Sequence, residues 1–206
     1  MKLLAVDTCS GPGSLALASD DGRCELVRLP AAWKSAVLHG ELQALLQRWG
    51  CRSRDLDGYA VTSGPGTFTG LRIGLTAVKA LAEVHGKPVV AVSSLELLAV
   101  AGQAAAPQAG ESLWAALLDA RRGQIFGALF RSDGASLRAV LPDCVCSLDR
   151  FLDRVREAGK TSGIPVRFAF AEPEPFVALL RRAGWDDAAQ TIVAPQLAGV
   201  LAGIGL

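Results

Sequence analysis

Two stretches of this chain follow one plan, and that repetition limits what the chain can fold into. Residues 3–22 read LLAVDTCSGPGSLALASDDG and residues 115–134 read AALLDARRGQIFGALFRSDG. Aligned without a gap at a constant offset (119 − 7 = 112), Asp7 meets Asp119 and Gly11 meets Gly123. Ala16-Leu17 meets Ala128-Leu129, and Asp21-Gly22 meets Asp133-Gly134. Each stretch is an apolar strand ending in aspartate, a glycine-containing turn, a second apolar strand and an Asp-Gly turn. Asp-Gly between apolar runs is a strong hairpin signal. Self-similarity at a fixed period points to a duplicated supersecondary unit.

The segments around the repeat fill in each half. In the first, strands over 2–8, 14–19 and 23–29 form an antiparallel meander. A helix over 36–49 carries Leu38, Leu42, Leu45, Leu46 and Trp49 at helical spacing, with Gly50 as its stop. A strand over 58–62, a helix over 70–85 closed by Gly86, the apolar run PVVAV read as a buried strand, and a helix capped by Ser93 or Ser94 and running to Ala105 complete it. In the second half a strand near 138–141 follows the hairpin. Ser147 caps a helix to about Ala158, then come a strand over 165–171 and a helix over 174–183. Strand–helix alternation after a meander implies a mixed sheet with parallel strands beyond the hairpin. Two such halves in tandem describe an α/β chain of the ribonuclease-H and actin-like ATPase (ASKHA) type, two lobes of mixed sheet flanked by helices. The predicted division is an N-terminal lobe over 1–106 and a smaller C-terminal lobe over 111–206, with a linker at 106–110 and a weak tail after Gly184.

Bulk properties exclude several function classes. The 206 residues carry a formal net charge of +1, so the basic excess that lets a protein bind nucleic acid alone is missing. Neither the short N-terminal run LLAV nor the apolar stretch 88–110 reads as a signal-peptide core or a membrane span. The expected location is cytoplasmic. The cysteines at 9, 24, 51, 144 and 146 are odd in number and scattered. They read as reduced thiols, and Cys144-Val145-Cys146 lacks the second pair or histidine that a zinc site needs.

The chemistry-bearing residues leave open alternatives. Asp7 ends the first strand, where ligands bind in open α/β sheets. It is either a magnesium or phosphate contact or a turn aspartate bonded to the backbone of Thr8-Cys9-Ser10-Gly11. A two-metal nuclease needs more acids. Glu41 offers one, but the fourth strand ends in Thr62-Ser63. The stretch SGPGTFTGLRIG, 63–74, is one residue too long for the dinucleotide fingerprint and lacks the phosphate-binding lysine. Gly64, Gly66 and Thr67 with Asp7 form at most a vestigial anion site at a helix start. The alternative function resting on them is an actin-like phosphotransferase or hydrolase. His39 and His85 sit on or at the ends of helices as packing or capping residues, and no triad or metal set is evident. No cofactor and no metal are expected.

The helix after the glycines is apolar around most of its circumference. Arg72, Thr76, Lys79 and Glu83 form one narrow polar stripe. A helix lying on a sheet needs one apolar stripe only. The excess is accounted for either by burial between the lobes or by packing on another chain. Leu42, Leu45 and Leu46 of the first helix and Leu71, Leu75, Val78 and Lys79 of the second are the predicted partner interface.

LLAVDT, SLAL, GPGTFTGLRIGLTAVKALA, VVAVSSLELLA and LLDARRGQIFGALF together resemble the bacterial TsaB family, formerly YeaZ, over about residues 1–130. The resemblance implies the actin-like two-lobed fold and a part in making N6-threonylcarbamoyladenosine at position 37 of tRNAs that read codons beginning with A. It implies a non-catalytic platform for the paralogue TsaD, which performs the transfer, joined by the ATPase TsaE, with tRNA met only through the complex and a homodimer when alone. It also implies that the first two helices make the contact. Where TsaD carries its metal-binding His-x-x-x-His pair, this chain has Ser94 and Leu98, which cannot replace two imidazoles. The family's Pro-Val-Tyr-Leu-Arg-like run near the end is missing; the chain closes with APQLAGVLAGIGL.

Overall fold

The computed structural model describes residues 1–9, 11–30, 35–107, 110–172, 174, 176–186, 189–193 and 196–206. Ser10, residues 108–109 of the expected linker and Pro175 at the start of the predicted helix over 174–183 lie outside them. Two compact units are present, one made of Met1–Ser94 with Pro195–Leu206 and the other of Leu95–Ala194.

The first unit contains β1 (Lys2–Asp7), β2 (Ser14–Ser19), β3 (Cys24–Arg28), α1 (Ser35–Arg48), β4 (Gly58–Thr62), α2 (Phe68–His85) and β5 (Val89–Val92), and it is completed by α6 (Ala198–Gly205). Its sheet runs β3-β2-β1-β4-β5. β1 pairs with β2 antiparallel and with β4 parallel, as a meander followed by crossovers requires. Strand side chains alternate between faces. Leu4, Val6, Leu15, Leu17, Tyr59 and Val61 point to one face and pack with Leu38, Leu42, Leu45 and Leu46 of α1 and Val78 of α2. On the other face Gly205 of α6 sits so close to Leu3 that a Cβ there would lie 2.6 Å from its side chain. The first backbone amide of α6, at Ala198, donates to Ser14 Oγ at 3.1 Å.

The second unit holds α3 (Ser94–Ala105), which begins one residue before it, then β6 (Ser112–Arg121), β7 (Gln124–Ser132), β8 (Leu137–Ser147), α4 (Leu148–Ser162), β9 (Val166–Phe170), α5 (Phe176–Arg182) and β10 (Gln190–Ile192). Its sheet runs β8-β7-β6-β9-β10. The repeated strand order is the duplication expected from sequence, and the chain has the actin-like, ribonuclease-H-like architecture. Phe151, Phe168, Phe170 and Phe176 fill the core under α4 and α5. Gly102 of α3 lies against the opposite face, where an added Cβ would be 2.8 Å from both the Trp114 ring and Ala169.

The structure differs from the sequence reading in several places; β8, expected near 138–141, runs over Leu137–Ser147, and α4, expected to end near Ala158, runs to Ser162. The division of 1–106 from 111–206 does not describe these units, because α3 packs with the second sheet and α6 with the first. The tail after Gly184 is structured, with β10 and α6. β5, expected to be buried, is the edge strand beyond β4, and Val89, Val90 and Ala91 are exposed. The expected helix ends hold. Gly86 closes α2 in the left-handed conformation that favours glycine, and Ser147 Oγ accepts from Arg150 N at 3.5 Å at the start of α4.

Candidate functional site

The end of β1 and the start of α2 are locked together by backbone contact. Asp7 is fully buried. Its Oδ1 accepts from the Cys9 amide at 3.0 Å and from Thr62 Oγ1 at 3.1 Å, so the carboxylate ties the β1–β2 turn to the end of β4. Thr8 Oγ1 donates to the Gly70 carbonyl at 2.7 Å. The glycines of the 63–74 stretch permit this approach. A Cβ on Gly66 would lie 2.6 Å from the Cys9 carbonyl oxygen, one on Gly70 1.9 Å from that of Thr8, and one on Gly74 2.2 Å from Thr8 Oγ1. No side chain fits at those distances.

The groups named for an anion site make contacts within the chain. The Thr67 amide, at the start of α2 where an anion would be held, donates to the Cys9 carbonyl at 3.5 Å. Gly66 faces Cys9, and Gly64 faces the Leu71 side chain at 3.6 Å. Asp7 serves as a turn aspartate, with its contacts inside the chain. Burial pushes the Cys9 thiol up, with Asp7 adding to the effect; hydrogen bonds from Thr62, Ser94 and Gly64 oppose it. Ser94 and Leu98 are both fully buried, and the Ser94 amide donates to the Gly64 carbonyl at 2.8 Å. Among the described residues no three His, Cys, Asp or Glu side chains gather as a metal set. Glu41, half-buried on α1, joins no such group. His39 Nδ1 lies 2.9 Å from the Ser35 carbonyl within its own helix, and His85 Nε2, at the end of α2, lies 3.0 Å from Ser53 Oγ of the segment before β4.

The partner-interface residues separate into two groups. Leu42, Leu45, Leu46 and Val78 pack into the first unit's core, with Leu42 and Val78 also reaching the floor of the recess between α1 and α2. The physical reason is that the leucine stripe of α1 is the single apolar stripe a sheet-packed helix needs, leaving Ala36, His39, Gly40 and Gln43 outside. Leu71 and Leu75 are half-buried on α2, and Lys79 is exposed. The exposed residues of α2 that the sequence reading missed are Phe68 and Val84, which leave 72% and 76% of their surface open. Ala80 lies exposed between them. The Arg72 guanidinium sits 5.3 Å from the Phe68 ring centre. An apolar recess of 180 Å³ runs between α1 and α2, lined by Leu38, His39, Leu42, Ala77, Leu81 and Val84. A second groove, of 870 Å³, follows the other flank of α2 along β5, where Leu75, Val89 and Ala91 meet Arg72, Lys79 and Lys87. α2 therefore carries exposed apolar residues beyond the stripe that its sheet buries.

Comparison with known proteins finds the related TsaB and TsaD proteins. The family described as "TsaD: tRNA N6-adenosine threonylcarbamoyltransferase" matches residues 34–178. The tRNA threonylcarbamoyladenosine biosynthesis protein TsaB of Bacillus subtilis (strain 168) is 33% identical over 158 residues, covering 76% of this chain and 67% of that protein. The protein of the same name from Escherichia coli (strain K12) is 31% identical over 133 residues, 65% of this chain and 56% of that one. This chain thus spans between about half and two thirds of the length of the two relatives. Among solved structures, YeaZ from Pseudomonas aeruginosa superposes with a TM-score of 0.72 at 24% identity, covering 99% of this chain and 91% of that one, which establishes the shared fold.

Proposed function

Because this chain belongs to the TsaB family of tRNA threonylcarbamoyladenosine biosynthesis proteins, we infer that it is the non-catalytic partner subunit of the assembly that modifies adenosine 37. It binds and supports a TsaD-like transferase through α2 and the outer side of α1, and it pairs with itself when that transferase is absent. A TsaE-like ATPase joins the assembly, and tRNA is met only through it. The near-neutral charge of the chain is consistent with that indirect role.

The observation that carries the reading is the outer surface of α2. Phe68, Ala80 and Val84 stand in water beside the recess shared with α1. Burying two such side chains against a partner gains about 1.5–3 kcal/mol each. The family resemblance supports the same two helices as the contact. The enclosed Asp7 and the self-bonded glycine turn favour a structural role for that region over nucleotide turnover.

Size-exclusion chromatography with light scattering tests the reading, using Phe68→Glu, Val84→Glu and the double variant. Loss of both self-association and binding to the TsaD-like subunit is expected, with unchanged circular dichroism, because both side chains lie outside the core. Leu46→Glu is unsuitable, since Leu46 is a core residue and its loss unfolds the unit. Reconstitution of nucleoside formation with TsaD-like and TsaE-like subunits, tRNA and threonylcarbamoyl-adenylate is expected to require this chain. Product at equal yield without it would overturn the role, and full association of the double variant would overturn the surface.

A further inference from the structure

We propose that Cys144 and Cys146 of β8 form a two-sulfur site for a soft monovalent d10 ion, of which Cu(I) is the representative. Residues two apart on a strand share a face. Here the two Sγ atoms are 3.9 Å apart, Cys146 buried and Cys144 half-buried, while Val145 between them points outward. That separation is within reach of a single ion bound to both sulfurs, and the near-linear S–M–S arrangement of a two-coordinate d10 ion needs the two side chains only to open somewhat further. Soft thiolates select Cu(I) and Zn. Zinc wants four ligands, and among the described residues no third His, Cys, Asp or Glu joins the pair. Two sulfurs without a third side chain suit a low-coordinate Cu(I).

The surroundings keep the pair available. Cys144 stands opposite Gly127 on β7, so no cross-strand side chain covers it. A Cβ on Gly127 would strike Ile125 and Phe151, which wall the inner side with hydrocarbon. The Cys144 thiol donates to the Gly127 carbonyl at 3.2 Å, a weak bond that binding exchanges for a metal bond. Burial, with the Cys144 sulfur beside it, pushes the Cys146 thiol up, and Arg150 and Arg154 of α4 oppose that shift. A disulfide is the competing fate, yet two residues of extended strand separate the Cα atoms by about 6.8 Å, the far end of the range a disulfide tolerates. While β8 stays paired with β7, the thiols are held close and apart at once. Binding releases the two thiol protons to solvent and forms two S–Cu bonds, with no change of oxidation state.

The test is an anaerobic competition of the reduced full-length chain against bathocuproine disulfonate for Cu(I). Withdrawal of one equivalent is expected, with at least a hundred-fold loss of affinity in both Cys144→Ser and Cys146→Ser. Cys24→Ser and Cys51→Ser are expected to bind as the unaltered chain does, and circular dichroism reads out folding for each. Failure to withdraw copper, or equal withdrawal by either Cys144→Ser or Cys146→Ser, would overturn the site. Withdrawal that falls with Cys24→Ser instead would place the copper elsewhere and overturn it equally.

Discussion

The two halves of the chain share one strand order and one turn, and they differ in what the turn encloses. In both, an aspartate at or near the end of the first strand accepts from the amide two residues on: Asp7 from Cys9 at 3.0 Å, Asp119 from Arg121 at 2.8 Å. Asp7 is then sealed under the glycine turn and joined to Thr62. Asp119 leaves 27% of its side chain open and pairs with Arg121 Nη1 at 3.1 Å. The turn itself came with the ancestral unit, since both copies keep it. Its burial is a property of the half that has the glycines. α2 sinks onto the β1–β2 turn because Gly66, Gly70 and Gly74 carry no side chain there.

The largest effect that tests this contrast is Gly70→Ala. Its Cβ meets the Thr8 carbonyl, and a loss of about 3 kcal/mol or more is expected in urea denaturation. Gly123→Ala in the second half meets nothing within 4 Å, and its positive φ of 74° costs only about 1 kcal/mol. Equal losses would show that the close approach is not what the glycines serve. Next come the helices that cover the second faces. Leu201→Ala in α6 and Leu98→Ala in α3 both empty fully buried positions, for about 2–5 kcal/mol each by thermal or urea unfolding. A loss below 1 kcal/mol at either would make that helix an accessory. Asp7→Ala is expected to cost about 1–3 kcal/mol by leaving the Cys9 amide and Thr62 hydroxyl unpaired, whereas the exposed ion pair of Asp119 is worth about 0–1 kcal/mol. The smallest effect is kinetic. Iodoacetamide is expected to modify exposed Cys24 first and buried Cys9 last, followed by peptide mass spectrometry. Burial raises the Cys9 thiol, so its own modification is expected to speed up only at a pH above the ordinary thiol range. The reverse order would contradict the enclosed turn.

Much of this was legible in the residues. Period-two and period-3.6 apolar patterns, two Asp-Gly turns and the repeat itself led to both sheets and their shared order. β5 was misread because an uninterrupted Val-Val-Ala-Val run looks the same in a buried parallel strand and at an apolar edge. β10 has three residues, too few for a pattern, and α6 is built of alanine, glycine and aliphatic residues without a polar face to mark its period. At the candidate site, periodicity found that α2 was over-supplied with apolar surface. It did not separate the leucines that fill the core from the residues left outside, because a helix's rotation about its axis is set by the sheet beneath it. The glycine motif was ambiguous for a related reason. Spacing alone does not distinguish a loop open to a phosphate from one pressed against another backbone.

The placement of α6 has a consequence for synthesis. Chains leave the ribosome N-terminus first, and early domains commonly fold as they emerge. Here the first sheet is the earliest made, yet the helix over its Leu3 and Ala60 face comes from residues 198–205. That face stays wet while the intervening hundred or so residues of the second unit are translated. The first unit is therefore the first to begin folding and the last to finish. A nascent chain stalled before α6 presents a bare apolar sheet to chaperones and to neighbouring ribosomes' products.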